Sequence, residues 1–122
     1  MILVPIIFLA VGILLGLYVK VPVQQGFALY LAIACLAGMD TFFGGVRAVL
    51  EKKFYADVFL TGFVFNCLIA FGLSWLGDYI GVNVFLVCAF IFGTRIFNNL
   101  SLIRRYWLSQ IQEARERNAS LQ

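Results

Sequence analysis

Four long apolar segments, with few charges inside them, constrain this chain more than any other feature of its sequence. They cover about residues 1–19, 27–50, 56–76 and 82–105. Each is close to the ~20 residues that an α-helix needs to cross the ~30 Å hydrocarbon core of a bilayer. We therefore predict an all-α integral membrane protein in which four transmembrane helices form a four-helix bundle.

Composition supports a lipid environment for most of the chain. Of 122 residues, 63% are hydrophobic and 12% are charged, whereas soluble domains are about half apolar and about a quarter charged. A soluble fold of this length could not bury so much apolar surface. We assign residues 1–107 to a transmembrane domain and residues 108–122 to a polar cytoplasmic tail, in which Glu113 and Arg117 have the i,i+4 spacing of a short helical continuation. The tail is either a frayed helix end or a segment that docks on a partner.

Residue types that catalysis and metal binding need are scarce. The sequence has no histidine, which removes the commonest general base and metal ligand. Cys35, Cys67 and Cys88 lie in apolar segments without a Cys-x-x-Cys pair. The net charge of +3 comes from clusters rather than a basic face. We predict no enzyme, no cofactor, no metal site and no nucleic-acid binding.

Basic residues fall on one side of the predicted membrane. With four crossings, the N-terminus, the loop after the second helix and the C-terminal tail share a side, and the other side holds only Lys20. The positive-inside rule predicts that both termini are cytoplasmic. Five residues of this side would meet anionic lipid or a partner: Arg47, Lys52, Lys53, Arg104 and Arg105.

Glycines and an internal similarity indicate how the helices pack. Small residues allow close helix contact in membranes, and five glycines are candidates for such contacts: Gly12, Gly16, Gly44, Gly45 and Gly62. The Gly12 and Gly16 pair could also form a homo-oligomer surface. A shift of 55 positions places Asp40 on Arg95 within a weak repeat, which favours two tandem helical hairpins.

Polar side chains at matching depths inside the spans are the candidate site. Asp40 in the second segment and Arg95 in the fourth are about equally deep, and charges within a membrane normally face the bundle interior and pair. We predict an intramembrane polar cluster in which Asp40 pairs with Arg95, while Asn66 and either Asn98 or Asn99 provide further hydrogen bonds. Such a cluster either fixes helix register or marks an ion or proton path.

Four stretches carry a resemblance to a known family. They are Met39–Ala48 (MDTFFGGVRA), Phe59–Phe63 with Asn66, Leu76–Asp78 (LGD), and Gly93–Leu100 (GTRIFNNL) followed by Ile103, Arg104 and Arg105. The chain resembles the bacterial small basic protein family over most of its length. The resemblance implies a small multi-pass protein of the bacterial plasma membrane, with no established activity and no defined catalytic residues. Genes of this family often lie near cell-division and cell-wall genes, including the gene for the tubulin-like protein FtsZ.

We therefore expect a non-enzymatic inner-membrane protein that acts as an assembly or scaffold component of the envelope or division machinery. Its expected partners are the bilayer, other membrane or division proteins and, as one form, a second copy of itself. The alternative is a small oligomeric ion or proton transporter, or a channel subunit, that uses Asp40 and Arg95.

Overall fold

The computed structural model describes residues 3–20, 22 and 24–122, and within them all regular secondary structure is α-helical. The helices are α1 (Leu3–Tyr18), α2 (Gln25–Leu50), α3 (Ala56–Ile80) and α4 (Val84–Ser120). Helices α2, α3 and α4 are long and apolar enough to cross a membrane, and α1 is a shorter apolar helix. The predicted all-α class and the four helices are confirmed. Met1 and Ile2, which were assigned to the first segment, lie outside the described residues.

Three helices, rather than four, build the packed core. Helix α2 packs against both α3 and α4, whereas α1 makes few contacts, mostly with α2. The side chain of Phe8 on α1 reaches Phe59 on α3, with ring centroids 6.0 Å apart. Lipid tails are as apolar as leucine, so an apolar helix without polar or close contacts gains little by joining the bundle. Helix α1 therefore lies at the edge, and the first of the two predicted hairpins is only loosely packed.

Each of the three core helices buries one narrow stripe. Its apolar members include Ile33 and Ala37 on α2, Ala70 on α3, and Cys88 and Phe92 on α4. The spacing of three or four residues keeps each stripe on one helix face. Every stripe also includes a polar residue, which follows in the same spacing: Asp40, Ser74 and Asn99. The fold thus carries polar groups into its interior at three places.

Helices α2 and α3 both end in the same type of hydrogen-bonded turn. After α2, the amides of Lys52 and Lys53 donate to carbonyls of the last turn, and Lys52 has φ 59°. After α3, the same pattern uses Gly81 at φ 76°. Glycine is the usual residue at this left-handed position because it has no Cβ.

Helix α3 ends later than the sequence suggested, at Ile80 rather than near residue 76. Gly77, which the sequence analysis placed near the helix end, is buried inside the helix at the contact with α4. A Cβ at this position would lie 2.6 Å from Val84 Cγ2 and 2.7 Å from the Val82 carbonyl oxygen. Because Gly77 has no side chain, the start of α4 can pack closely against α3; Gly77 does not form a turn.

Helix α4 is a single helix of 37 residues that includes most of the predicted tail. At 1.5 Å per residue it is roughly 55 Å long, well beyond the thickness of a hydrocarbon core. Good helix formers fill residues 110–117 and no glycine or proline follows Gly93. The helical continuation is therefore longer than the short one expected.

The glycines predicted to pack helices divide into two groups. A Cβ added at Gly44 would lie 3.6 Å from Asn99 Nδ2 on α4, and Gly45 is buried. A Cβ at Gly12, Gly16 or Gly62 would have no neighbouring atom within 4 Å. Within one chain these three glycines do not lie at close helix contacts, because α1 is peripheral and Gly62 faces away from the core.

Candidate functional site

Asp40 and Arg95 meet between α2 and α4. A guanidinium nitrogen of Arg95 lies 3.1 Å from Oδ2 of Asp40. Neither carboxylate oxygen has a partner in hydrogen-bond geometry within the described part of the chain, so the interaction is an ion pair in which the N–H groups are poorly aligned with the acceptor. The structure thus brings together the two charges that the sequence analysis paired.

The two partners differ in burial because of their positions on the helices. The Asp40 side chain is 0% exposed and that of Arg95 is 56% exposed. Asp40 continues the buried stripe of α2, seven residues after Ile33. Arg95 precedes the buried Ile96, so it is about 100° around the helix from the stripe and reaches Asp40 from the side. More than half of the Arg95 side chain is therefore left exposed.

Asn66 does not join this ion pair. Its side-chain amide donates to the Thr41 hydroxyl at 3.2 Å, and that hydroxyl donates to the Ala37 carbonyl at 3.1 Å. The amide therefore links α3 to α2, on the residue next to Asp40. The sequence analysis placed Asn66 at the right depth, but helix rotation directs it to a different partner.

Asn99 binds Arg47 rather than Asp40 or Arg95. A guanidinium nitrogen of Arg47 donates to Asn99 Oδ1 at 3.4 Å, and Nε of Arg47 donates to Glu51 at 2.8 Å. This hydrogen bond from Arg47 lowers the pKa of the Glu51 carboxyl below its ordinary value. Arg47 was expected to face lipid or a partner, but its side chain is held between α2 and α4.

An open groove runs along the α2–α4 contact. We call it the α2–α4 groove; it has a volume of about 340 Å³. Most residues that line it are polar or charged. They are Arg47, Glu51, Arg95, Asn98 and Asn99, together with Gly44. Asn98 is exposed beside Arg95 and makes no side-chain hydrogen bond to a described residue. The groove therefore connects the ion pair with the end of the bundle at Glu51.

The other four basic residues that were predicted to meet lipid or a partner lie near that same end. Lys52 and Lys53 are exposed in the α2–α3 loop, and Arg104 and Arg105 are exposed on α4. Arg105 also lines a neighbouring concavity of about 340 Å³. Their exposure is compatible with the predicted contact to anionic lipid or a partner, which stays a prediction.

A second set of polar residues, which the sequence analysis did not select, lies at the opposite end of the bundle. The Tyr30 hydroxyl on α2 donates to Asp78 on α3. Ser74, one turn before Asp78, is buried, and its hydroxyl has no hydrogen-bond partner among the residues that the structure describes. The available signal was the i,i+4 spacing of Ser74 and Asp78, which places them on one helix face. It was missed because the predicted third segment ended at residue 76, which left Asp78 outside the helix.

Among the described residues, no three His, Cys, Asp or Glu side chains lie close enough together to hold a metal ion. The chemistry that the site does support is charge pairing and hydrogen bonding between helices. Apolar helices joined by such contacts define the class of small helical proteins compatible with a membrane.

Comparison with known proteins shows the family to which the chain belongs. Residues 22–108 match a family described as a protein of unknown function, DUF1290. The chain is 39% identical to the Small basic protein of Bacillus subtilis, over 87% of this chain and 88% of that one. It is 46% identical to uncharacterized protein Rv1824 of Mycobacterium tuberculosis and to Mb1855 of Mycobacterium bovis, over 80% of this chain and 82% of each relative.

The chain therefore belongs to the DUF1290 family, and the resemblance to small basic proteins is confirmed. No solved structure matches it significantly.

Proposed function

We propose that this protein is a non-enzymatic, multi-pass component of the bacterial plasma membrane that assembles with other membrane proteins. Both termini are cytoplasmic in this proposal, because Lys20 is isolated from the other basic residues. The setting, envelope or division machinery, follows from the gene neighbourhood that the small basic protein resemblance implies. The residues of the α2–α4 groove provide the physical argument.

The exposure of Arg95 is the observation that carries the proposal. The Arg95 side chain is 56% exposed, yet Arg95 lies nine residues before the exposed Arg104, a distance of roughly 14 Å along α4. Lipid tails offer no acceptor for the remaining N–H donors, and an unsatisfied polar group in hydrocarbon costs several kcal/mol. Another molecule that covers Arg95 would remove this cost.

A second copy of this chain is a poor source of a matching carboxylate. Asp40 is the acidic residue at that depth among the described residues, and it is already buried against Arg95. Glu51, Asp57 and Asp78 lie at the ends of α2 and α3. We therefore favour a transmembrane helix of a different protein that offers a carboxylate, an amide or a free backbone carbonyl to the groove.

Photocrosslinking in native membranes tests this assembly. A photoreactive amino acid replaces Asn98, which lines the groove, and in the matched control it replaces Phe97, which is 76% exposed and does not line it. We expect a discrete crosslinked protein from position 98 and mainly lipid adducts from position 97. Mass spectrometry then identifies the partner.

The outcomes separate the hypotheses. A different membrane protein of the division or envelope machinery at position 98 would support the proposal. A crosslink only to a second copy would replace heterologous assembly with self-association. Lipid adducts alone at both positions would overturn the proposal.

The transport alternative has one observation in its favour: the α2–α4 groove leads from Glu51 toward Arg95 and hence toward Asp40. Purified protein in liposomes tests it directly. Proton or ion flux that Asp40→Asn abolishes, while Asp57→Asn leaves it intact, would favour a transporter over an assembly component.

A further inference from the structure

A second cavity lies at the end of the bundle opposite Glu51, and we call it the Ser74 cavity. It has a volume of about 480 Å³. The lining residues that matter here are Tyr30, Ser74, Asp78, Asn83, Phe85 and Leu86. They come from α2, α3 and the start of α4, so the cavity exists only in the folded bundle. Its residues are separate from the α2–α4 groove.

Ser74 is the buried polar group of this cavity. Its side chain is 2% exposed, and its hydroxyl has no hydrogen-bond partner among the described residues. Buried hydroxyl groups are nearly always hydrogen-bonded to protein or water. An isolated one in an open cavity therefore indicates a missing partner that enters from outside.

Asp78 provides the charge. It accepts a hydrogen bond from Tyr30 and makes no ion pair with any described residue. Since Ser74 and Asp78 are four residues apart on α3, both side chains line the same wall. Asn83 uses its side-chain oxygen to accept from the Leu86 amide at the start of α4.

The surrounding walls restrict the chemistry of the missing group. A single carboxylate beside hydroxyl groups is a poor site for a divalent cation, which prefers six or more oxygen ligands or several fixed carboxylates. A cation that donates N–H groups suits a carboxylate and a hydroxyl acceptor. The rings of Tyr30 and Phe85 and the aliphatic Leu86 suit an organic cation, which aromatic faces attract.

We propose that the Ser74 cavity binds a primary ammonium group, donating N–H to Asp78 and Ser74. The group belongs either to the headgroup of an aminophospholipid or to a small soluble amine. This site does not depend on the proposed assembly, because no groove residue contributes to it.

Lipid retention measured by native mass spectrometry tests the proposal on the full chain. Protein is presented with equal amounts of phosphatidylethanolamine and phosphatidylcholine, which differ in N–H donors but share a phosphate. We expect preferential retention of phosphatidylethanolamine, and Asp78→Asn should reduce its affinity about tenfold or more because a charge-assisted bond is lost. Ethanolamine in solution serves as the second probe. If it displaces the retained phosphatidylethanolamine, the site is open to soluble amines. If the lipid is retained and ethanolamine does not displace it, the site is specific for a lipid headgroup.

Two variants keep the result interpretable. Asp57→Asn removes an exposed carboxylate at the other end of α3 and should leave the preference unchanged. Ser74→Ala should weaken binding severalfold, and it tests the same site if Asp78→Asn proves unstable. Equal retention of both lipids would overturn the proposal. So would a preference that persists in folded Asp78→Asn protein, or a cavity that holds only water.

Discussion

At the residue scale, the two members of the central ion pair occupy different environments. Asp40 is completely enclosed, whereas more than half of the Arg95 side chain is uncovered. Removing one partner of a buried pair is costly mainly because the other charge stays buried and unpaired. The cost of each substitution therefore depends on which charge is left behind.

We predict that Arg95→Gln destabilises the protein more than Asp40→Asn does. Arg95→Gln leaves a carboxylate enclosed without a counter-charge and should cost about 3 kcal/mol. Asp40→Asn leaves a guanidinium that can turn toward the groove, and should cost about 1 kcal/mol. Reversible unfolding in detergent measures both values.

The double variant completes the cycle. If the pair interacts, Asp40→Asn with Arg95→Gln should cost less than the sum of the single variants, by about 1 kcal/mol. Additive effects, or the reverse order of the two single variants, would contradict the structural account.

A second prediction concerns pH and Glu51. The hydrogen bond from Arg47 lowers the pKa of the Glu51 carboxyl, so the unfolded chain binds its proton more readily than the folded one. The stability from this pair is therefore fully present above the unfolded value of about 4.3. It is lost as pH falls through the lowered folded value.

Thermal unfolding between pH 7 and pH 3 checks this sign. The wild type should be slightly more stable than Glu51→Gln at pH 7, because exposed pairs contribute little, and the difference should vanish at the acidic end. Asp57→Asn serves as a control. A difference that stays constant with pH would contradict a role for the carboxylate charge.

At the scale of the elements, the turns after α2 and α3 have the same hydrogen bonds but different residues. The left-handed position is Lys52 in one and Gly81 in the other. A residue with a Cβ loses about 1–2 kcal/mol in this conformation, so the first turn is strained and the second is not.

Exchanging the residue types should therefore have opposite effects. Lys52→Gly should stabilise the protein by up to about 1 kcal/mol, and Gly81→Ala should destabilise it by about 1 kcal/mol. Gly72→Ala, at a site with no neighbouring atom within 4 Å, serves as a control for the intrinsic effect of alanine on α3. Destabilisation by Lys52→Gly would show that the lysine side chain contributes more than its backbone strain costs.

At the scale of the whole molecule, the three core helices form one unit with α1 at its edge. Most of the outer surface is apolar, as in a protein with lipid as solvent. Most of the basic residues lie at one end of this unit and the Ser74 cavity at the other, so in the proposed membrane setting the orientation decides which compartment each end meets.

Thiol labelling tests the proposed orientation. A membrane-impermeant maleimide applied to intact cells stripped of their wall should label Lys20→Cys. It should label Lys52→Cys and Ser120→Cys only after permeabilisation, since the positive-inside rule places them in the cytoplasm. Labelling of Lys52→Cys in intact cells would reverse the topology.

The helices were predictable because their signal is local. Apolar length alone identified α2 and the number of helices, since an α-helix satisfies its own backbone in lipid. The end of α3 was placed too early, near residue 76, and the helical continuation predicted for the tail is longer in the structure than expected. The structure shows that the glycine admits Val84 and that residues 108–120 propagate an existing helix.

By itself, the sequence determined that this is an all-helical, apolar chain and that Asp40 and Arg95 lie at matching depths, because periodicity and the cost of charge in lipid act along each segment. Only the tertiary structure decided helix rotation and packing. Rotation pairs Asn66 with Thr41, draws Asn99 to Arg47, leaves Arg95 half uncovered and encloses the Ser74 hydroxyl. These contacts depend on which face each helix turns toward its neighbours, and that choice is made by side chains far apart in the chain.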